Sequence, residues 1–75
     1  MKEIEFAPSG EFIELHNLLK VTGLCESGGT AKVAIAAGFV KVNDAPETRK
    51  AFKVRPGHRV EFEGQIIAVV KKKNG

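Results

Sequence analysis

Residues 27–44 read SGGTAKVAIAAGFVKVND, and this stretch predicts a capped helix that stops at a glycine and leads directly into a strand. Ser27 is a favourable N-cap, because its hydroxyl can accept a hydrogen bond from the first helical turn. Residues 28–37 carry few large polar side chains, which predicts a helix that is well buried or presses closely against another group. Gly38 predicts the end of that helix. Residues 40–42 then alternate valine with lysine, as a half-buried strand does.

This helix–strand unit favours an anionic ligand. Ser27, Gly28 and Gly29 stand at a helix start, where bare backbone N–H groups and the helix dipole attract negative charge. Lys32 and Lys41 add full positive charges, one on the helix and one on the strand. A phosphate-bearing partner fits this arrangement. An ordinary helix start, in which the glycines only relax a tight link, fits it equally well.

Two predicted elements come before this unit. Residues 3–6 alternate polar and apolar side chains, which predicts a half-buried strand that ends at the turn residues 8–10. Residues 11–21 predict a first helix, with Glu11 and Glu14 in its first turn, where the helix dipole favours them. Its apolar stripe has helical spacing and consists of Phe12, Leu15, Leu18 and Leu19.

The chain after this unit alternates turns with short apolar runs, as the strands of a small sheet do. The predicted elements are a turn over residues 43–46, a basic loop leading into a strand at 52–54, a turn over 55–58, a strand around 60–62, a turn at 64–65 and a strand over 66–70. The predicted fold class is therefore α+β, with two packed helices on one face of a small, mostly antiparallel sheet of four or five short strands.

Length and composition predict one small domain over residues 1–75, expected to be a monomer. A single cysteine excludes an internal disulfide, which is typical of a protein in a reducing cytoplasm. No apolar run approaches the roughly 20 residues of a membrane helix, so no membrane partner is expected. The net charge is −3 over residues 1–30 and +6 over residues 31–75, which favours one basic face and an anionic partner. Residues 71–75 form a basic tail.

Enzymatic chemistry has no candidate site in the sequence. Cys25 and His16 could in principle form a thiol–imidazole pair, but nothing in the pattern fixes their geometry or supplies a third orienting group. One cysteine and two histidines make no zinc ligand set. The carboxylates are scattered, with no pair suited to acid–base catalysis. We therefore expect no catalysis, no cofactor, no metal and no small-molecule substrate.

A candidate basic surface follows from the lysines and arginines in the second half of the chain. Phosphate contact by these side chains is one interpretation, and a solvated face that keeps a small protein soluble is the other. Lys32 favours contact, because a lone lysine on an alanine-rich helix must emerge at one specific edge. The members of this surface are Lys32, Lys41, Arg49, Lys50, Lys53 and Arg55.

The pattern as a whole resembles the S4 RNA-binding domain, a family named after a protein of the small ribosomal subunit. A leucine-rich helix is followed by the order Gly, Ser, Ala, Ile, then Gly-x-Val-x-Val-Asn, then Val-x-x-Gly-x-x-Val, within residues 12–63. The matching residues are Leu15, Leu18, Leu19, Lys20, Gly23, Ser27, Ala31, Lys32, Ile35, Gly38, Val40, Val42, Asn43, Val54, Gly57, Val60 and Phe62. The whole chain most resembles the small stand-alone YbcJ-like bacterial proteins.

The resemblance implies a helix–loop–helix unit called the αL motif, whose second helix and following strand face RNA. The sequence of this chain differs from that of the wider family at Gly28, where many members have an arginine. Carried onto this chain, the resemblance together with the helix start gives the candidate RNA-binding residues Ser27, Gly28, Gly29, Lys32, Lys41, Arg49, Lys50 and Lys53.

The leading functional hypothesis is a non-catalytic protein that recognises structured RNA, ribosomal RNA being one candidate target, through phosphate and shape contacts. The alternative is a protein-interaction module that docks an acidic partner. A third hypothesis is duplex DNA binding, since helix–turn–helix units have a similar pattern. The second helix lacks the arginine, asparagine and glutamine side chains that read base edges, which counts against sequence-specific DNA recognition.

Overall fold

A computed structural model of the chain describes residues 2–72, so residues 73–75 of the predicted basic tail lie outside the described residues. Its elements in chain order are β1 (Lys2–Phe6), β2 (Ile13–Glu14), α1 (Leu15–Val21), α2 (Gly28–Ala36), β3 (Lys41–Val42), β4 (Ala45–Pro46), β5 (Lys53–Val54), β6 (Arg59–Phe62) and β7 (Gln65–Val69). The predicted α+β class, with two helices and a mostly antiparallel sheet, is confirmed.

The strands form two sheets rather than one. Five of them make the main sheet in the order β1-β7-β6-β3-β4, in which β1 and β7 run parallel and the other pairs antiparallel. The other two, β2 and β5, pair antiparallel in a separate small sheet. The strand expected near residue 53 is therefore not part of the main sheet. It pairs with residues 13–14, which the sequence predicted to be helical.

Both hairpins of the main sheet turn in two residues. Asn43 and Asp44 have φ of 51° and 69°, and Glu63 and Gly64 have φ of 51° and 76°. Such left-handed pairs match the twist of the flanking strands. The turn predicted over residues 43–46 is too long, because its last two residues form β4. Pro46 is tolerated there because β4 is an edge strand, which needs fewer backbone donors.

The first helix begins four residues later than predicted. Residues 13–14 are extended because they pair with β5, so α1 starts at Leu15 and Glu11 lies outside it. The N–H groups of Leu15 and His16 donate to the carbonyl oxygens of Phe52 and Lys50 at 2.9 and 3.1 Å. These contacts from the basic loop satisfy donors that a side-chain cap would otherwise satisfy.

One hydrophobic core joins both helices to the sheets. Leu15, Leu18 and Leu19 of α1 are fully buried, and α2 contributes Ala31, Ala34 and Ile35. The strands contribute mainly valines together with Phe62 and Ile67. The leucine stripe of the first helix is confirmed, except for Phe12, which lies before the helix and is 39% exposed.

The second helix is buried on one side only, so the first of the two interpretations, a well-buried helix, applies to that side alone. Val33 is 71% exposed, and Lys32 and Ala36 are also exposed. Ala31, Ala34 and Ile35 fall on the inward side of a 3.6-residue period, and Val33 falls opposite to them. Because apolar residues occur on all sides of this helix, the sequence does not show which side is buried and which is exposed.

The predicted ends of the second helix are confirmed. The N–H of Thr30 donates to Ser27 Oγ at 3.2 Å, which is an N-cap contact. At the other end Gly38 has φ of 82°, its N–H donates to the Ile35 carbonyl at 3.0 Å, and the N–H of Phe39 donates to the Ala34 carbonyl at 3.1 Å. These two bonds form a Schellman motif, which fixes the direction in which the chain enters β3.

Candidate nucleic-acid interface

The start of α2 keeps free space above its first turn. A Cβ atom added at Gly28 would meet nothing within 4 Å, and one added at Gly29 would meet only Ser27 Oγ at 3.8 Å. The Ser27 hydroxyl satisfies the N–H of Thr30, so the N–H groups of Gly28 and Gly29 keep no acceptor within the helix. An anion could therefore approach these two donors closely.

Lys32 and Lys41 are exposed cations on α2 and on the strand that follows it. Lys32 lies on the exposed side of α2. Lys41 lies on the outer side of β3, while Val42 points into the core. Across the sheet Lys41 is in register with Glu61 of β6. Within residues 2–72, neither lysine has a carboxylate partner at ion-pair distance.

Arg49 is already engaged by a carboxylate. Its Nε and Nη2 atoms donate to the two carboxylate oxygens of Glu47 at 2.8 and 3.3 Å, and its guanidinium carbon lies 5.2 Å from the ring centroid of Phe52. The hydrogen bonds from Arg49 lower the pKa of Glu47, so this carboxylate stays charged at neutral pH. The sequence interpretation counted Arg49 as a free cation and missed the effect of Glu47.

A groove joins the last turn of α2 to the basic loop. Its lining includes Ala36, Arg49, Lys50, Ala51 and Phe52. The loop is held in place by its two carbonyl contacts with the start of α1. The structure therefore brings Arg49 and Lys50 beside the second helix, as the predicted surface requires.

Lys53 also borders this groove, but its charged end lies elsewhere. Its Nζ atom is 5.1 Å from the ring centroid of Phe12, on the outer side of the pair formed by β2 and β5. The predicted set of site residues is thus divided between two surfaces.

Two exposed apolar side chains near the end of α2 were not among the candidate site residues. Val33 is 71% exposed and Phe39 is 69% exposed. A helical projection of residues 28–36 would have placed Val33 opposite the buried positions. Val33 adds apolar area to the exposed side of α2, and Phe39 adds exposed apolar area just after the helix.

The remaining chemical candidates are placed apart. Cys25 is buried, and this burial, followed by the nearby charge of Glu63, raises the pKa of its thiol. His16 Nε2 lies 3.3 Å from Glu14 Oε1. Within the part of the chain that the structure describes, no three or more His, Cys, Asp and Glu side chains are grouped to hold a metal ion. No helix among residues 2–72 has the length and apolar character to cross a membrane.

The sequence of this chain is similar to those of known proteins. The sequence profile of the S4 domain family matches residues 6–70. The "Putative RNA-binding protein YbcJ" of Escherichia coli (strain K12) is 52% identical over 58 residues, which cover 77% of this chain and 83% of the relative. The "Probable ribosome maturation protein RlbA" of Bacillus subtilis (strain 168) is 41% identical over 54 residues, or 72% of this chain and 76% of the relative.

A solved structure supports the same grouping. The solution structure of YbcJ from E. coli superposes with a TM-score of 0.66 at 44% identity, covering 93% of this chain and 87% of that one. That protein is described as having an αL motif involved in RNA binding. The present chain belongs to the S4 domain family, and the resemblance stated from sequence is confirmed.

Proposed function

We propose that this chain is a non-catalytic, single-domain, cytoplasmic protein that binds structured RNA as a monomer through phosphate and shape contacts. The observation that carries the proposal is that Lys32, Lys41 and Lys50 are exposed and lack ion-pair partners among the described residues. A relative and a solved structure from the same family are described as RNA-binding, which supports an RNA ligand rather than another polyanion.

The proposed contacts use the geometry of α2 and its surroundings. A phosphate binds the N–H groups of Gly28 and Gly29, beside the Ser27 cap. Lys32, one turn further along, contacts a neighbouring phosphate as a point charge. Lys41 and Lys50 add contacts from β3 and from the basic loop. Such backbone contacts suit folded RNA, whose shape fixes the spacing of its phosphates.

Ribosomal RNA is the target class that we propose. The B. subtilis relative carries a name that refers to ribosome maturation, and the matched region covers 76% of its length. A structured fragment of ribosomal RNA is therefore the first ligand to test, with an unrelated hairpin of equal length as the comparison.

The interaction should depend strongly on salt. If Lys32, Lys41, Lys50 and Arg49 each neutralise one phosphate, affinity should fall roughly 50- to 150-fold between about 50 and 200 mM salt, because the bound counterions are released. Fluorescence anisotropy titrations of labelled ribosomal RNA fragments at four salt concentrations measure the slope. A flat response, or no binding at low salt, would count against the proposal.

Removing the carboxylate of Glu47 should strengthen RNA binding. In Glu47→Gln the guanidinium of Arg49 loses an anionic competitor, and exposed ion pairs of this kind contribute about 0.2–1 kcal/mol. We therefore expect affinity to rise about 1.4- to 5-fold at neutral pH. The same titration measures it, with Glu5→Gln as a control that removes an exposed carboxylate on β1. An equal gain in both variants would mean that only net charge matters.

The second candidate function is docking of an acidic partner protein. The exposed side chains of Val33 and Phe39 favour it, because exposed apolar area beside positive charge is common at protein interfaces. A purified complex distinguishes the two functions, since an RNA-mediated complex dissociates on ribonuclease treatment and a direct protein complex persists.

A further inference from the structure

The outer side of the small sheet formed by β2 and β5 carries a second group of cations. Strand side chains alternate between the two sides, so Val54 points inward and is fully buried. Lys53 and Arg55 both point outward, as does Phe12 on the adjoining segment. Lys53 also lines the groove at the end of α2, so the two surfaces adjoin at this residue.

Phe12 is in contact with both cations. The Nζ atom of Lys53 lies 5.1 Å from its ring centroid, and the guanidinium carbon of Arg55 lies 5.8 Å from it. A ring within about 6 Å of a cation attracts it through the quadrupole of the aromatic system. The ring stays 39% exposed, so part of it remains available for contact.

A cleft extends this basic surface beyond Arg55. Arg55 lines the cleft together with Lys71 and Lys72, and Ser9 and Gly10 form part of the opposite wall. Among residues 2–72, Glu11 is the only acidic residue in its lining. We call Phe12, Lys53, Arg55, Lys71 and Lys72 the Phe12 strip.

The cations of the Phe12 strip differ from other exposed cations of the protein. Arg49 pairs with Glu47 at 2.8 Å, and Arg59 pairs with Glu3 at 3.0 Å. None of the four cations of the strip has such a partner among residues 2–72. Two carboxylates face the strip: Glu14 is in register with Lys53 across the small sheet and lies 3.3 Å from His16, and Glu11 lines the cleft together with Arg55. Four cations against these two carboxylates leave the strip with a net positive charge.

We propose that the Phe12 strip is a second RNA-contacting surface, which binds an unpaired strand that continues from the structured RNA held at α2. This inference rests on the proposed function. Four cations along a cleft can follow the phosphates of a flexible strand, and the exposed part of Phe12 offers a surface to one base. Phe12 also acts as a positioning residue, because both Lys53 and Arg55 lie against its ring.

The test compares two RNAs, a ribosomal hairpin alone and the same hairpin with a 12-nucleotide unpaired extension at either end. For the unmodified protein we expect one of the extensions to raise affinity about tenfold at about 100 mM salt. The triple variant Arg55→Glu, Lys71→Glu, Lys72→Glu should lose this gain and keep its affinity for the hairpin alone within about threefold. Lys20→Glu, which reverses an exposed cation on α1, should keep the gain.

Phe12→Ala provides the positioning readout. It should reduce the gain about threefold without changing hairpin binding, and Phe12→Tyr should restore it, because tyrosine keeps the aromatic face. Circular dichroism melts confirm that each variant is folded before it is compared.

The outcomes separate this inference from the proposed function. If the hairpin binds and neither extension adds affinity, or if the gain survives in the triple variant, the second surface is refuted and the proposed function stands. If the unmodified protein does not bind the hairpin, the proposed function itself fails. If an oligoglutamate peptide displaces the extended RNA as well as unlabelled RNA does, the strip is a peptide-docking surface and the RNA assignment is wrong.

Discussion

Replacing Lys32 and Lys41 together with glutamate should abolish detectable RNA binding while the protein stays folded. Each lysine is exposed and unpaired among the described residues, so each can offer a charge-assisted contact to a phosphate. Contacts of this type contribute about 1.5–3 kcal/mol each. Losing both should therefore weaken binding by at least about a hundredfold, and charge reversal adds repulsion.

A neutral variant shows that the effect is electrostatic. In Lys32→Gln, Lys41→Gln the dependence of log affinity on log salt should become shallower by about 1.5, since two fewer counterions are released. Anisotropy titrations with the ribosomal hairpin measure both variants, and thermal melts should match those of the unmodified protein. Unchanged affinity in the reversed variant would show that RNA binds a different face.

Ile35→Ala should cost much of the stability of the domain, whereas Val33→Ala should cost almost none. Both are β-branched residues of α2, but Ile35 is fully buried and Val33 is 71% exposed. A buried isoleucine replaced by alanine loses about 2–5 kcal/mol through lost transfer energy and the cavity that remains. An exposed substitution away from special features stays within about 0.5 kcal/mol.

The size of the domain makes this difference visible. Total stability of about 0.05–0.15 kcal/mol per residue corresponds to about 4–11 kcal/mol for this chain. Urea denaturation followed by circular dichroism should show a large decrease in the midpoint for Ile35→Ala alone. Equal midpoints for the two variants would contradict the one-sided burial of the helix.

Several features of the fold were predictable because they depend on neighbouring residues. Ser27 caps α2 through a bond to a residue three positions later, and Gly38 ends it through its own left-handed conformation. The two-residue turns after β3 and β6 depend on the local ability of Asn43 and Gly64 to adopt positive φ. The predicted fold class followed from these local signals and from the leucine spacing of α1.

Other features required contacts between distant segments. Residues 13–14 become a strand because they pair with residues 53–54, about 40 positions away, and no local signal in a helical pattern reveals that pairing. The parallel pairing of β1 with β7 joins the two ends of the described chain in the same way. The predicted start of α1 was therefore wrong, because it depends on a strand pairing that the local sequence does not reveal.

The candidate site shows the same division. The sequence by itself determined the family, the capped helix from Ser27 to Gly38 and the presence of a basic surface, since these depend on residue order and local geometry. Only the tertiary structure decided which charges are available. In the folded chain Arg49 forms an ion pair with Glu47, and the charged end of Lys53 lies over the ring of Phe12. The side chain of Val33 is exposed. The physical reason is that a charge or an apolar side chain acquires its effect from the groups packed around it, and distant parts of the chain supply many of those groups.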